Sequence, residues 1–327
     1  MLKTKISYLS LALFIFSGLA SVFYYAYSPA VSPPSELANL QQIQIQVGGL
    51  ARSYSLYIPA NLPSHAPLVV MLHGSLQSGD DIRMFSGYQF EQLAEQHGFA
   101  LAYPFGYENN WNDCRKAASY PARNEQIDDL NFIEAITLQV HQRLSTDLNK
   151  TFIAGYSSGG QLGFRFALER PHSVAGIAAI AASLPAADNL ACSESGVAVP
   201  VLIMNGTEDP INPYYGGLVS LFGIANRGHV KSAVTSAEYF AHLAGYIGGP
   251  TEIKNFKNTR ANDPTSTKYY AWRDRRRPEV ILYTITDGGH VIPQEVYRPM
   301  RLLGKTSVEI NGPEEIWAFF ARQLDKQ

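Results

Sequence analysis

The chain has 327 residues and a mass of 36.0 kDa, with 46% hydrophobic and 17% charged residues. A formal net charge of −2 excludes the strongly basic surface of most nucleic-acid-binding proteins, so no nucleic-acid partner is expected. Two cysteines are too few for a disulfide-rich scaffold or a four-cysteine zinc site, and the sequence has no phosphate-binding loop or paired-histidine metal motif. We therefore expect a globular domain that needs no metal and no cofactor.

The N-terminus has the order of charges and apolar residues that is typical of an export signal. Lys3 and Lys5 precede an uncharged run over residues 6–27. Ser28 and Ala30 offer a cleavage site, but the run is also long enough to span a bilayer as an uncleaved anchor. In either case we expect an exported protein, extracellular or periplasmic, that touches a membrane only through such an anchor.

Three segments are predicted along the chain. Residues 1–30 form the signal peptide or anchor, and residues 31–42 continue a stiff, proline-rich linker that starts near Ser28. Residues 43–327 form a single catalytic domain.

Alternating residues predict an antiparallel hairpin first, with strands near Ile43–Val47 and Tyr54–Ile58 around Gly48-Gly49. Short apolar runs then predict buried strands at Leu68–Leu72, Ala100–Tyr103, Thr151–Ala154, Val174–Ile180, Val201–Met204 and Val280–Ile285. Amphipathic segments predict helices near Phe90–His97, Leu130–Leu144, Gly160–Leu168, Ser232–Leu243 and Glu314–Gln323. This alternation indicates an α/β class: a mostly parallel sheet of about eight strands with helices on both faces.

A candidate nucleophile lies where the third of these buried strands ends. The run Gly155-Tyr156-Ser157-Ser158-Gly159 follows the strand and opens a helix. In such a G-x-S-x-G elbow, a strained turn raises the serine hydroxyl above the sheet, and the glycines allow strand and helix to approach closely. We therefore predict Ser157 as the nucleophile, with an ordinary glycine-rich turn as the alternative.

An acid and a base should follow the serine in that order. Asp209 and His290 each lie just after a predicted buried strand, where side chains gather at one edge of an open sheet. His290 would accept the proton of the serine, and Asp209 would orient the imidazole. Glu208 and Asp287 remain alternative acids.

Two backbone N–H groups are candidates for an oxyanion hole. Ser75 follows the strand Leu68–Leu72, and Ser158 follows the nucleophile at the start of a helix. His73 is expected to shape the loop before Ser75 by hydrogen bonding and not to act as the base.

These motifs together resemble an α/β-hydrolase family that contains extracellular polyhydroxybutyrate depolymerases, feruloyl esterases and acetylxylan esterases. The resemblance extends from about Ile45 to Phe320 and rests on Leu72-His73-Gly74-Ser75, the run Gly155–Gly160, the run Gly206–Tyr214 and Gly288-Gly289-His290. It implies an α/β-hydrolase fold and an exported, metal-independent serine esterase. The implied substrate is a hydroxyalkanoate polyester or oligomer, with feruloyl or acetyl esters of plant polysaccharides as the alternative. A peptidase of the same fold and a non-catalytic binding protein are less favoured.

The sequence departs from that family after the predicted base. The family usually has a tryptophan two residues after the histidine and then Pro-Gly, whereas this chain has His290-Val291-Ile292-Pro293-Gln294. We expect a changed wall of the substrate cleft. We identify no polymer-binding module within these 327 residues and therefore expect crystalline polymer to be a disfavoured substrate.

Four further residues have candidate roles. Cys114 and Cys192 could form a disulfide in an exported protein, although sequence alone does not show their separation. Trp111 and Tyr214 could line the acyl pocket, with a buried core position as the equal alternative. The basic run Arg273–Arg277 is expected to be a solvated loop, with binding of an anion as the alternative.

Overall fold

The computed structural model describes residues 15–18, 20–35, 40–221, 223–257, 260–261 and 263–325. Its strands are β1 Leu40–Val47, β2 Leu50–Tyr57, β3 Leu68–Leu72, β4 Ala100–Pro104, β5 Thr151–Tyr156, β6 Gly176–Ile180, β7 Val201–Gly206, β8 Gly217–Leu221, β9 Ile224–Val230, β10 Glu252–Asn255, β11 Ser266–Trp272 and β12 Val280–Thr286. The helices after β3 are α1 Gly79–Phe85, α2 Gln89–His97, α3 Pro121–Asn124, α4 Asp129–Leu144, α5 Ser158–Glu169, α6 Ala233–Leu243 and α7 Gly312–Leu324.

Most strands belong to one large sheet. In the described part of the chain this sheet has ten strands in the order β1-β2-β4-β3-β5-β6-β7-β12-β11-β10. The six strands from β4 to β12 in this order run parallel to one another, and antiparallel strands flank them on both sides. The mostly parallel sheet is as predicted, but it has two strands more than the expected eight. The strands β10 and β11 were not predicted. All four residues of β10 are exposed, so no apolar run marks that strand.

Helices cover both faces of this sheet, as the continuous apolar strands require. In β5, Phe152 and Ala154 contribute to the core under α1, α2 and α7. Ile153 points to the opposite core, under α4, α5 and α6. The loops that follow β3, β5, β7 and β12 all leave the carboxyl edge of the sheet, where they can share one site.

The N-terminal segment is described in part. Residues 1–14 and 19 of the predicted signal or anchor, and residues 36–39 of the predicted linker, lie outside the described residues. Among the residues that are described, no helix is both long and apolar enough to cross a membrane. Ser28 Oγ lies 2.8 Å from Tyr297 Oη, so the start of the linker contacts the domain. β1 begins at Leu40, three residues before the predicted domain boundary.

Candidate active site

The turn between β5 and α5 forces Ser157 into an unusual backbone conformation. Its φ of 53° and ψ of −116° lie outside the regions that L-residues prefer. A Cβ added at Gly155 would lie 2.2 Å from the carbonyl oxygen of Gly159, and one at Gly159 would lie 2.4 Å from that of Leu72. The two glycines are therefore required, because strand and helix approach too closely there for any side chain.

Ser157, His290 and Asp209 form a chain of hydrogen bonds at this edge. Ser157 Oγ lies 2.9 Å from His290 Nε2, and His290 Nδ1 lies 2.7 Å from Asp209 Oδ2. Both the imidazole and the carboxylate are buried. The backbone N–H groups of Ile211 and Asn212 each donate to Asp209 Oδ1 at 2.8 Å, so these two donors fix the carboxylate opposite the histidine.

The two alternative acids lie elsewhere. Glu208 is exposed, and the half-exposed carboxylate of Asp287 lies 3.8 Å from the ammonium group of Lys305. Among the described residues, Asp209 provides the carboxylate that is hydrogen-bonded to His290. The hydrogen-bond distance to His290 thus favours Asp209 among the three candidate acids that the sequence left open.

Both candidate oxyanion donors flank the serine. Ser158 is the first residue of α5, so its N–H has no acceptor within the helix. Ser75 follows β3 and lines the cavity beside Ser157. Within the described chain neither N–H donates a hydrogen bond, so both remain available to a substrate oxygen.

His73 shapes the loop before Ser75. Its Nδ1 lies 2.7 Å from the carbonyl oxygen of Gly74, and its Nε2 accepts a hydrogen bond from the N–H of Gly106 at 2.9 Å. Complete burial lowers the pKa of His73 to about 4, so the imidazole is neutral near pH 7. A neutral histidine with both nitrogens occupied is not available as a base.

The two aromatic candidates for the acyl pocket are core residues instead. Trp111 is fully buried behind His73 and donates from its indole N–H to the carbonyl oxygen of that histidine at 2.9 Å. Tyr214 is buried, and its hydroxyl lies 2.7 Å from Thr284 Oγ1. Neither side chain lines the cavity, because each has its polar atom hydrogen-bonded inside the fold.

A cavity of about 260 Å³ opens at Ser157 and His290. The apolar part of its wall consists of Leu76, Phe85, Tyr156, Ala181, Ile211, Val219, Leu221, Met300 and Leu303. The expectation that the residues after His290 form this wall is wrong. Val291 and Ile292 are buried in the core, and Met300 and Leu303 line the cavity on the side of the histidine loop.

Comparisons with known proteins agree with this architecture. Residues 58–220 match the family model described as phospholipase/carboxylesterase. The solved structure of an acetyl xylan esterase from Aspergillus awamori aligns with a TM-score of 0.60 over 86% of this chain and 98% of its own, at 17% identity. The chain has an α/β-hydrolase fold. The predicted fold is confirmed, and the family match agrees with the predicted class, a carboxylic ester hydrolase that uses serine.

Curated proteins with similar sequences are also named as esterases. NocK of Nocardia uniformis subsp. tsuyamanensis, a protein named as an esterase, is 29% identical over 194 residues, which cover 58% of this chain and 54% of NocK. A protein named feruloyl esterase C from Aspergillus niger is 28% identical over 212 residues, which cover 62% of this chain and 69% of that protein. The chain thus spans about half the length of the first of these relatives.

A disulfide holds together two loops over the active-site edge of the hydrolase. Cys114 and Cys192 are bonded, with their Cα atoms 5.0 Å apart. Beside this bond, the N–H of Ala191 donates to the carbonyl oxygen of Cys114 at 2.8 Å. The backbones of Arg115 and Leu190 form an isolated antiparallel β-bridge. The loop after β4 is thus fixed to the loop after β6.

Sequence reasoning missed several polar residues of the cavity wall, among them Arg115, Tyr120 and Arg227. Arg115 is buried and forms a two-pronged ion pair with Asp113, at 3.0 Å and 2.5 Å. Burial alone would lower the pKa of Arg115, but the adjacent Asp113 carboxylate raises it. The ion pair of Asp113 and Arg115 could have been suspected from their spacing in the sequence. Tyr120 lies in a loop and Arg227 lies in β9, and no sequence motif marks either residue.

Proposed function

We propose that this α/β-hydrolase cleaves carboxylic esters with Ser157 as the nucleophile, His290 as the general base and acid, and Asp209 as the residue that orients the imidazole. The observation that supports these roles is the unbroken contact from Ser157 Oγ through His290 to Asp209, at 2.9 and 2.7 Å. The three groups lie within hydrogen-bond reach of one another, as proton transfer requires.

The reaction follows from these contacts. His290 Nε2 takes the proton of Ser157 as Oγ bonds to the ester carbonyl carbon, while its Nδ1–H donates to Asp209. The N–H groups of Ser75 and Ser158 would stabilise the negative charge on the carbonyl oxygen. The protonated His290 then gives its proton to the departing alkoxide, and an acyl-enzyme remains. Water, activated by His290, releases the acid and restores the serine.

The cavity favours a short acyl group. Its volume of about 260 Å³ lies below the range of roughly 300–1,000 Å³ that is usual for drug-sized ligands. Its apolar lining suits a small branched or linear acyl chain. We therefore propose hydroxyalkanoate esters, as oligomers or as accessible polyester chains, as the substrate.

A second candidate is an acetyl or feruloyl ester of a plant polysaccharide. Two observations favour it: the relative named feruloyl esterase C and the acetyl xylan esterase whose solved structure aligns over most of the chain. An acetyl group would also fit a small cavity, whereas an aromatic feruloyl group would fill more of it.

Product release distinguishes the two substrates. Purified enzyme is incubated with amorphous polyhydroxybutyrate, with soluble 3-hydroxybutyrate oligomers and with acetylated xylan, and the released 3-hydroxybutyrate and acetate are measured. Ser157→Ala is the blank, and Ser266→Ala, at an exposed serine of β11, is the matched control. Release of 3-hydroxybutyrate that depends on Ser157 supports the first substrate; release of acetate alone supports the second. Turnover that survives Ser157→Ala in folded protein contradicts the mechanism.

Export is part of the proposal. Residues 1–30 would direct the enzyme across a membrane as a cleaved signal or a retained anchor, and residues 43–327 would act outside the cytoplasm. N-terminal sequencing of protein from the producing cells, with fractionation into medium, periplasm and membrane, tests this assignment. An intact N-terminus in the cytoplasmic fraction contradicts it.

A further inference from the structure

Arg227 is a buried cation in the wall of the active-site cavity. It lies in β9, in the β8–β9 hairpin that covers the cavity, and 6% of the residue is exposed. In the described part of the chain its guanidinium makes one hydrogen bond, from Nε to the hydroxyl of Tyr120, and no carboxylate lies within ion-pair distance of it. A buried guanidinium without an anion is costly, so its remaining N–H groups need a partner that the described chain does not supply.

The charges around the cavity do not balance. The charge of Arg115 is compensated by Asp113, which binds it through both oxygens. No acidic side chain is among the described residues that line the cavity, and the Asp209 carboxylate is occupied beneath His290. The positive charge of Arg227 is therefore not compensated by any described residue that lines the cavity. It matches a single carboxylate better than a dianionic phosphate.

This charge lies near the reacting atoms. The Tyr120 hydroxyl accepts from Arg227 Nε and from Arg115, so its own hydrogen is directed to Ser75 Oγ at 2.9 Å. Ser75 provides one of the two proposed oxyanion N–H groups. Arg227 is thus two hydrogen bonds from the residue that would hold the ester carbonyl oxygen.

The backbone holds Arg227 in this place. Asn189 donates from its side-chain amide to the carbonyl oxygens of Arg227 and His229, at 2.9 and 3.0 Å. Asn189 belongs to the loop that the disulfide fixes to Arg115, and Lys116 donates its N–H to the carbonyl oxygen of Asn189. One rigid unit therefore positions both arginines.

We propose that Arg227 binds the free carboxylate of an ester substrate, so that the enzyme prefers esters with a carboxylate a few bonds from the cleaved linkage. The inference rests on the proposed esterase function and specifies its substrate. The planar guanidinium can pair both Nη groups with a carboxylate. A linear hydroxyalkanoate oligomer carries such a carboxylate on the alcohol side of its last ester bond. An ester of a dicarboxylic acid carries it on the acyl side.

Two matched pairs of substrates test the preference and identify the side. The linear dimer of 3-hydroxybutyrate is compared with its methyl ester, and mono-4-nitrophenyl glutarate is compared with 4-nitrophenyl valerate. In the wild-type enzyme, kcat/KM for the charged member of at least one pair is expected to exceed that of the neutral member by about tenfold or more, the effect of a charge-assisted hydrogen bond. The pair that shows the effect gives the side of the carboxylate.

The variant Arg227→Gln should remove this preference mainly by raising KM for the charged ester, so that the ratio of kcat/KM between the charged and the neutral member of the pair falls to about 1. Arg227→Lys keeps the positive charge but loses the paired N–H donors of the guanidinium, so it should retain part of the preference for the charged ester. Arg275→Gln, at an exposed arginine, is the control for an equal change of net charge and should leave the preference intact.

The wild-type measurement decides the matter even if a variant does not fold. Equal or lower kcat/KM for the charged member of both pairs overturns the proposal, as does a preference that survives in folded Arg227→Gln. Failure of the esterase function is a separate result, because 4-nitrophenyl valerate would then show no hydrolysis dependent on Ser157.

Discussion

The hydroxyl of Tyr156 donates a hydrogen bond to the carbonyl oxygen of His290 at 2.7 Å. Tyr156 is the last residue of β5, and His290 lies in the loop after β12, so this bond connects the nucleophile turn directly to the histidine loop. Burial raises the pKa of Tyr156 well above its ordinary value, and the hydroxyl therefore remains a donor throughout the working pH range.

Tyr156→Phe should leave this buried carbonyl oxygen without its donor. We expect the free energy of unfolding to fall by about 1–3 kcal/mol and kcat to fall several-fold, because the imidazole is less well fixed. Urea unfolding and hydrolysis of a short ester measure the two effects. Tyr54→Phe removes a comparable hydrogen bond to Gln139 outside the cavity and should leave kcat unchanged. Equal losses of kcat in both variants would contradict a positioning role for Tyr156.

Asp209→Asn should lower kcat by about 10⁴-fold, because an amide favours the wrong imidazole tautomer and does not stabilise the imidazolium. Asp287→Asn should have little effect, since that carboxylate pairs with Lys305. Kinetics of both variants on one short ester, with circular dichroism to verify folding, test the assignment. If Asp287→Asn had the larger effect, the acid would be misassigned.

Gly155→Ala should prevent the elbow from forming, because the added Cβ would lie 2.2 Å from a backbone oxygen. We expect a destabilisation of about 3 kcal/mol or more and loss of activity. Gly163→Ala, in α5, is the matched control: its Cβ would find its nearest neighbour at 3.8 Å. In a helix interior this change should stabilise the protein by up to about 1 kcal/mol. Thermal unfolding of the two variants distinguishes a steric requirement from a general intolerance of alanine.

The unfolding free energy should depend on the protonation of His73. Its pKa is about 4 in the folded protein, against an ordinary value of 6.5, so the unfolded chain binds the proton more tightly. The contribution is fully present above pH 6.5 and is lost as the pH falls toward 4, by about 3 kcal/mol in total. His73→Gln should flatten the pH dependence between pH 7 and 4.5, and the exposed His242→Gln should not. Parallel slopes for the wild type and His73→Gln would contradict this prediction.

The bond between Cys114 and Cys192 closes a long loop, because the two cysteines have a sequence separation of 78. The double variant Cys114→Ser, Cys192→Ser should lose about 2–4 kcal/mol of stability. It should also lose part of any preference for charged esters, because the loop that holds Arg227 is no longer fixed to that of Arg115. Urea unfolding and the paired substrates measure the two effects. Two free thiols in denatured, unreduced wild-type protein would show that the bond does not form.

The sequence by itself determined the strand-to-helix alternation and the order of the candidate residues. Six apolar runs correspond to buried parallel strands, because strands covered on both faces leave a continuous apolar pattern. The elbow around Ser157 could also be predicted, because its glycines and its strained turn are local requirements. Asp209 and His290 could be predicted as candidates because each lies in the loop that follows a buried strand.

The tertiary structure decided what depends on residues distant in the chain. It distinguished Asp209 from Glu208 and Asp287, since hydrogen-bond distance to His290 is a property of the assembled loops. It placed Trp111 and Tyr214 in the core, because their hydrogen-bond partners lie in other segments. The unbalanced charge of Arg227 could not be read from the sequence at all. A charge is unpaired only with respect to its surroundings, and these are assembled from β9, the loop after β4 and the disulfide-linked loop after β6.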